Sequence, residues 1–522
     1  MNGLEIAIFA IFLWTISIMY LAPTISKTKH FAVYGPALML KIVKNRKLLD
    51  RISKHFPGKF FGRISVIIVI LSAFVAMAML IYGAYLSLSI KPSNAPSLRL
   101  LIGIPGLNPA IPIGFGAAAL IISVVIHEVF HGIVARNHGI KVNSVGALFF
   151  IIPVGAFVEP DEQEIQAADP VHRRRIIAAG PGINIILALV SILIISLLLF
   201  PSASPTHDGI YVEGVDAHSP ASYLISTGTE VTSFGNYSGS QLGNLLFTSN
   251  MEPGKLYNAT VYNGNHSTII QIPAGVVIDS IVKGLPADTA NLSVGSVILS
   301  VNGVTIFNDT TLGNLLANTT PGTSISVKTV TYTISSTGNL SGTQHVYNVT
   351  TMSKFAYYSQ YDPSANQNSY KNESFIGITS TYGGILGVPM EQMKSIMSGI
   401  EIFTNPWTGA LIFISLPFAS LYPIPSSLAG LFTVPFSPFI FWGTVNMFYW
   451  LFWINFLLGV TNALPLFVLD GGQFFRDTLH ILSRRRIFSF LKNEKSMKRV
   501  MMLSNVIVLF LLFWQVIVPR II

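Results

Sequence analysis

The chain of 522 residues has no cysteine. That excludes disulfides, thiolate metal sites and a cysteine nucleophile, so any metal must be held by His, Asp or Glu. Charge is scarce too. Asp, Glu, Lys and Arg make up 11% of the residues, against roughly 25% in soluble domains. Hydrophobic residues are 51% of the chain and the mean hydropathy is +0.58. A soluble protein of this size would need more charge on its surface. Arginine is absent from residues 201–380, whose lysines are Lys255, Lys283, Lys328, Lys354 and Lys371. The net charge of +9 therefore arises beside the long apolar runs. Membrane topology leaves that pattern, and a nucleic-acid groove does not. No nucleic-acid partner is expected.

What is present in quantity is apolar sequence. A spanning helix needs about 20 mostly apolar residues. Six runs qualify: 4–22, 64–90, 113–135, 176–200, about 440–466 and 497–518. The segment 27–63 carries Lys41, Lys44, Arg46, Lys47, Arg51 and Lys54 and is cytoplasmic by the positive-inside rule. The N-terminus is then outside. GIPGLNPAIPIG, with Pro105, Pro109 and Pro112, reads as a loop or re-entrant turn. Residues 146–160 are too short and too rich in Gly and Pro to span, and a β-hairpin at the inner membrane face is expected.

Residues 201–380 change character, with Ser, Thr, Asn and Gly between short β-branched runs. They contain nine N-x-S/T sequons, at Asn236, Asn258, Asn265, Asn291, Asn308, Asn318, Asn339, Asn348 and Asn372, and glycosylation there is expected. An internal repeat runs through the block. SPASYLISTGTEVTSFGN, LGNLLF and EPG are followed by LPADTANLSVGSVILSVNG, LGNLL and TPG in the same order. The second copy resembles a PDZ domain, and the first is a divergent match. A peptide-binding edge is expected at Gly275, Val276, Val277 and Ile278. Residues 381–439 are apolar but broken by Pro406, Pro417, Pro423, Pro425, Pro435 and Pro438. Parity requires them to cross an even number of times, so a re-entrant or surface-lying hairpin is expected.

The expected fold is a polytopic α-helical membrane protein of about six spans with an inserted extracytoplasmic tandem α+β region. Its divisions are 1–112, 113–200, 201–272, 273–380, 381–439, 440–480 and 481–522. The second and sixth are the two catalytic halves.

One apolar helix carries an ionisable cluster, HEVFH at 127–131. The i, i+4 spacing puts His127 and His131 on one helix face, one turn apart, as two imidazoles sharing a zinc require. Glu128 reaches a water on the metal instead of the metal, and is the candidate general base. Zinc lowers the pKa of such a water to about 7. An intramembrane Glu between two His is costly unless it binds something. The third ligand is open among His138, His172 and Asp470. The two histidines lie in polar loops. Asp470 ends TNALPLFVLDGG, in a span oriented like the HEVFH span and with its site at the same end. The alternative for Asp470 is a helix-terminal carboxylate facing water. Gly471 and Gly472 leave room for a bend or a close backbone approach.

HEVFH, GAFVEP, AGPGIN and NALPLFVLDGG, in that order, resemble the site-2 proteases, intramembrane metalloproteases of regulated intramembrane proteolysis. The resemblance implies one zinc per chain held by His127, His131 and Asp470, with Glu128 as base. It implies that Asn462 binds the substrate or intermediate, and a side-chain amide there could donate to an oxyanion. It makes the GAFVEP hairpin a holder of unwound substrate through Gly155, Ala156 and Phe157. Asn184, near the start of a span, is carried as a substrate-binding candidate. A helix cap or a cross-helix bond is its favoured use. Expected partners are the bilayer and single-pass transmembrane substrates already trimmed by another protease. The repeats would lie outside, and would either bind a new C-terminus or exclude bulky ectodomains. The rival readings are a catalytically silent PDZ-bearing scaffold or chaperone, and a metal transporter using HEVFH as a transit site.

Overall fold

The computed structural model describes residues 3–25, 28, 31–34, 37–42, 46–90, 92–101, 103, 105–150, 152–335, 340–361 and 367–521. Two units emerge, one running to Ile195 and resuming at Gly443, the other Ser196–Trp442. The first opens with helix α1 (Gly3–Ile25), strands β1 (Phe31–Tyr34) and β2 (Ala37–Ile42), and helices α2 (Arg46–His55) and α3 (Gly58–Leu86). Helix α4 (Ile113–Asn137) follows Pro112, whose extended backbone (φ −66°, ψ 142°) blocks helix on its N-terminal side. The hairpin expected at 146–160 is β3 (Val142–Phe150) and β4 (Ile152–Pro160). Two further strands extend it, giving the order β1-β2-β3-β4. Strands β1 and β2 come from the basic segment, where no strand is expected from sequence. Strand β4 is an edge strand of this sheet.

Helix α5 (Glu162–Ala167) leads to α6 (Pro170–Ile194). Asp169 caps α6, accepting from the Val171 N–H at 2.8 Å, and Pro170 fits the first turn, where no N–H is needed. The span expected from 176 therefore starts six residues earlier, because its first turns are polar.

In the second unit, strands β5 (Ile210–Val215), β6 (Glu230–Phe234) and β7 (Tyr237–Ser238) precede helix α7 (Leu245–Thr248) and strands β8 (Leu256–Tyr262) and β9 (Ser267–Pro273). Strands β10 (Val276–Ile281), β11 (Val297–Val301) and β12 (Val304–Thr305), helix α8 (Asp309–Ala317), and strands β13 (Ser324–Ile334) and β14 (Leu340–Thr350) repeat that order. Strands β15 (Ile378–Tyr382) and β16 (Ile385–Pro389) complete a sheet ordered β9-β8-β6-β5-β16-β15-β10-β11-β13-β14. Strand β7 pairs with β6 as β12 pairs with β11. Each repeat has its own core. Val212, Val231, Phe234, Leu242 and Leu245 belong to one, and Val276, Ile278, Ile298, Leu312 and Ile325 to the other.

Three expectations change here. The boundary at 380 falls inside β15, and β16 pairs with β5 of the first repeat (Ile385 with Val215, Pro389 with Ile210). Residues 381–389 are thus sheet, not part of a re-entrant hairpin. The peptide edge expected at Gly275–Ile278 is closed: Val276 pairs with Tyr382, Val277 with Thr381 and Ile278 with Ser380. Val277 also pairs with Val297 on the other side, and Val276, Val277 and Ile278 are fully buried. Their backbone groups are already used, so no peptide can add there. Among the sequons, Asn308 is buried and caps α8, its side chain accepting from the Thr311 N–H at 2.8 Å and donating to the Ser249 carbonyl at 2.9 Å. A glycan there would have no room. The other described sequon asparagines are exposed, and Asn339 lies outside the described residues.

The chain resumes the first unit through α9 (Pro438–Asn462), then α10 (Asp470–Leu482) and α11 (Glu494–Ile521). Among the described residues, five helices are long and apolar enough to cross a membrane: Gly58–Ser89, Ile113–Asn137, Pro170–Ser202, Pro438–Asn462 and Glu494–Ile521. In α1 the stretch Phe12–Ile25 counts as a shorter apolar helix. The exposed faces of the long helices are apolar, as at Phe60, Ile67, Phe74, Ile113 and Phe513. Water would not favour that surface, and lipid would.

Candidate metal centre

Helices α4 and α10 converge on one point. His127 and His131 face it from successive turns of α4, and Asp470 is the first residue of α10. His127 Nε2 is 3.0 Å from Asp470 Oδ2, His131 Nε2 is 3.3 Å from the same oxygen, and the two Nε2 atoms are 3.1 Å apart. Donors about 2.0–2.1 Å from one tetrahedral zinc sit about 3.3 Å from each other, so this triangle fits such an ion. Among the described residues this is the only group of three or more His, Asp or Glu close enough to hold a metal.

The other ring nitrogens are engaged. His131 Nδ1 lies 2.8 Å from the carbonyl oxygen of Ile176, and His127 Nδ1 lies 3.1 Å from the amide of Asn184. A Nδ1–H donating to the Ile176 carbonyl leaves Nε2 of His131 as a lone-pair ligand. Asn184 is fully buried in the middle of α6, not at a cap, and bridges to α4. Its use is the cross-helix bond, directed at a ring of the candidate metal centre.

Helix α6 has Gly180-Pro181-Gly182 in its interior, all buried. In an exposed helix these cost about 1 kcal/mol per Gly and about 3 kcal/mol for Pro relative to Ala. The tertiary packing explains the glycines. A Cβ on Gly180 would run into His131 Nε2 and lie 2.6 Å from His127 Nε2. A Cβ on Gly182 would lie 2.6 Å from Ser65 Cβ on α3. Gly180 is thus the wall of the metal position. Sequence reasoning missed it, although a Gly-Pro-Gly inside an apolar helix was a readable signal.

The turn 463–469 explains LDGG. Helix α9 stops at Asn462, and Leu466 and Leu469 close short turns through Leu466 N–H to Leu464 O (2.7 Å) and Leu469 N–H to Leu466 O (3.0 Å). The Phe467 N–H donates to Asn505 Oδ1 on α11 at 2.9 Å. A Cβ on Gly471 or Gly472 would strike the carbonyl of Leu464 or Leu466. The two glycines let α10 start against this turn, aiming Asp470 inward. Asp477, two helical turns on and fully buried, receives Arg173 Nε of α6 at 2.8 Å. One helix therefore reaches α4 with Asp470 and α6 with Asp477.

Glu128 Oε2 lies 3.4 Å from the Val158 N–H on β4. The pairing of 155–158 with 145–148 is regular, so Ala156, two residues back, turns its backbone to the same open edge as Val158. Gly155 has only Val124 Cγ1 near its Cβ position, at 3.5 Å, and Phe157 lies over Gly146. The side chain of Ala156 is outside the described set. Asn462 is half-buried at the end of α9. The turn after it means that it does not stack two helical turns ahead of Asp470. His138 and His172 pair with each other, rings 5.0 Å apart, and are not in the donor triangle.

Residues 115–511 match the profile of peptidase family M50. The chain belongs to peptidase family M50. That stretch includes α4, the hairpin, α6, the inserted repeats and α10. An M50 assignment makes the protein a membrane metallopeptidase by family, with a His-His-Asp triangle as its candidate metal centre. The chain is also 31% identical over 264 residues, half of its length, to the uncharacterized protein MJ0971 of Methanocaldococcus jannaschii, of which it covers 68%.

Proposed function

We propose that this M50 peptidase is a site-2-type zinc endopeptidase that hydrolyses unwound transmembrane segments of its substrates. The observation that carries the reading is the donor triangle of His127, His131 and Asp470 beside Glu128, built on apolar helices of spanning length. Two neutral imidazoles and one carboxylate suit zinc, with a coordination position left for a reactant. Zinc bound there supplies a Lewis acid and an acidified water. Glu128 takes the proton of the attacking water and delivers it to the leaving amine. Asn184 and the Ile176 carbonyl hold the two rings in the tautomer that keeps Nε2 free.

A substrate helix hides its carbonyls in i to i−4 hydrogen bonds and must unwind before it is cut. The open edge of β4 offers backbone groups to an extended segment. A strand added there competes with Glu128 for the Val158 N–H, so substrate pairing frees the carboxylate at the site. The low charge of the two repeats favours a size filter for substrate ectodomains. The site itself lies within the membrane near its cytoplasmic face.

Metal analysis of the purified protein, with a model transmembrane substrate, tests the reading. Zinc at one per chain, retained in Glu128→Gln while cleavage is lost, is the expected result. Cleavage that survives Glu128→Gln sinks the mechanism. Removing Ser204–Pro389 as a whole should admit substrates with bulky ectodomains. No gain on such substrates counts against the filter.

A further inference from the structure

A second cluster of charged groups lies at the ends of three helices and is not used by the peptidase chemistry. Lys59 and Arg63 sit in the first turns of α3, His138 is the C-cap of α4, and His172 and Arg175 are in the first turns of α6. All three helix ends are at one boundary of the spanning bundle. The His138 and His172 rings are 5.0 Å apart. Arg175 Cβ is 3.0 Å from where a Cβ on Gly62 would stand, so the α6 arginine abuts α3 between Lys59 and Arg63. Burial depresses the pKa of His138, and so do His172, Arg175 and Lys59 around it.

His138 Nδ1 faces the Val134 carbonyl at 2.9 Å, while its Nε2 is buried and has no hydrogen-bond partner. Lys59, Arg63 and Arg175 have no carboxylate partner among the described residues. The nearby acid, Asp169, is engaged by Arg484 at 2.8 Å and by the Val171 N–H. The three cations, gathered without a counter-charge, call for an anion. Next to Lys59 and Arg63, α3 turns out Phe60 (62% exposed), Ile64 and Ile67 at helical spacing. Apolar side chains beside cations at the end of a spanning helix match a lipid whose chains lie along the helix and whose phosphate meets the cations.

We infer that Lys59, His172 and Arg175 bind the phosphate of an anionic phospholipid, with Arg63 beside them and Phe60 and Ile64 against its acyl chains. The site abuts the end of the helix that carries HEVFH. That end is clamped on its other side by Arg136 Nε to Asp50 Oδ1 (2.6 Å) and by Asn137 Nδ2 to the Ser53 carbonyl (3.1 Å). A lipid seated there supports the catalytic helix from the membrane side. This inference rests on the membrane reading of the chain and does not depend on the hydrolytic one.

The test is binding of fluorescent phosphatidylglycerol to the full chain in neutral detergent, with phosphatidylcholine and inorganic phosphate as competitors. Phosphatidylglycerol should bind at least about tenfold tighter than phosphatidylcholine, and Lys59→Gln with Arg175→Gln should weaken it about 30-fold, since each cation near an anionic headgroup is worth about fivefold. Arg51→Gln with Lys54→Gln, two exposed cations on α2, should change it less than about threefold. Equal affinity for both lipids overturns the proposal, and so does equal loss in the two double variants, which would mark a diffuse charge effect. Displacement by inorganic phosphate as readily as by phosphatidylglycerol also overturns it, because the site would then serve a soluble anion. Should the Arg175 variant fail to fold, Lys59→Gln with His172→Gln, both exposed, carries the same comparison.

Discussion

The amide of Asn184 meets Nδ1 of His127 at 3.1 Å, linking the middle of α6 to the first ring of the candidate metal centre. With Nε2 turned to the metal position, Nδ1 carries the proton, so the amide must present its oxygen. As placed, Nδ2 faces the ring and Oδ1 is buried without a partner, and turning the amide over gives the oxygen the Nδ1 proton. Asn184→Ala should therefore lower metal affinity by about 10- to 100-fold, the usual effect of removing such an outer partner. A chelator-competition titration measures it. Unchanged affinity would show that the ring is oriented by packing alone.

Gly180→Ala should abolish metal binding while leaving the helical content intact. The added methyl would occupy the space in front of both Nε2 atoms. Metal stoichiometry together with circular dichroism checks both halves. A full complement of metal in this variant would mean that α6 can shift away from α4 at little cost.

Asp477→Ala leaves Arg173 buried without its partner, and breaking such a pair typically costs about 3–5 kcal/mol. The variant should unfold at lower temperature and bind metal more weakly, because α10 also carries Asp470. Replacing Arg173 and Asp477 together by Met should recover part of the stability. A double variant no better than the single one would argue against an isolated charge as the cause.

The second unit should lose stability as the pH rises. Burial in β6 raises the pKa of Glu230 to about 7, with the Gly209 N–H bond opposing and Asp208 adding to the rise. Burial also raises Asp216 to about 6, against the bond from Thr381, with Asp279 adding to the rise. Both carboxyls are held above their ordinary values of 4.5 and 3.8, so the folded state keeps protons that the unfolded chain has released. Their contribution is complete below about pH 4 and is lost as the pH passes through about 6 and 7. Denaturant melts across this range check it, and Glu230→Gln should flatten the upper part of the dependence. A stability that rises between pH 5 and 7 would contradict the assignment.

Much of the candidate site was legible because its signals are local. HEVFH is a spacing on one helix, and helical periodicity alone brings its two rings together. The hairpin and the order of the repeats were also visible, since turns and β-branched runs recur along the chain. The closure of the edge expected at Gly275–Ile278 was not. Strand β10 looks like an edge until β15, about a hundred residues later, pairs with it, and nothing near 276 announces that partner. The turn at 463–469 also separates Asn462 from the helix of Asp470, and no local pattern marks how far apart they fall.

By itself the sequence determined the class of the protein: apolar runs of spanning length, a metal-binding spacing on one of them, and a polar repeated insert without arginine. These follow from composition and from periods of 2 and 3.6 residues, which the backbone obeys wherever it goes. Only the tertiary structure decided what surrounds the metal position. Asp470, Gly180, Asn184 and the Ile176 carbonyl reach it from residues 40 or more positions away from HEVFH in the chain. Their approach is set by how α4, α6 and α10 pack, and packing between distant helices leaves no mark in local spacing.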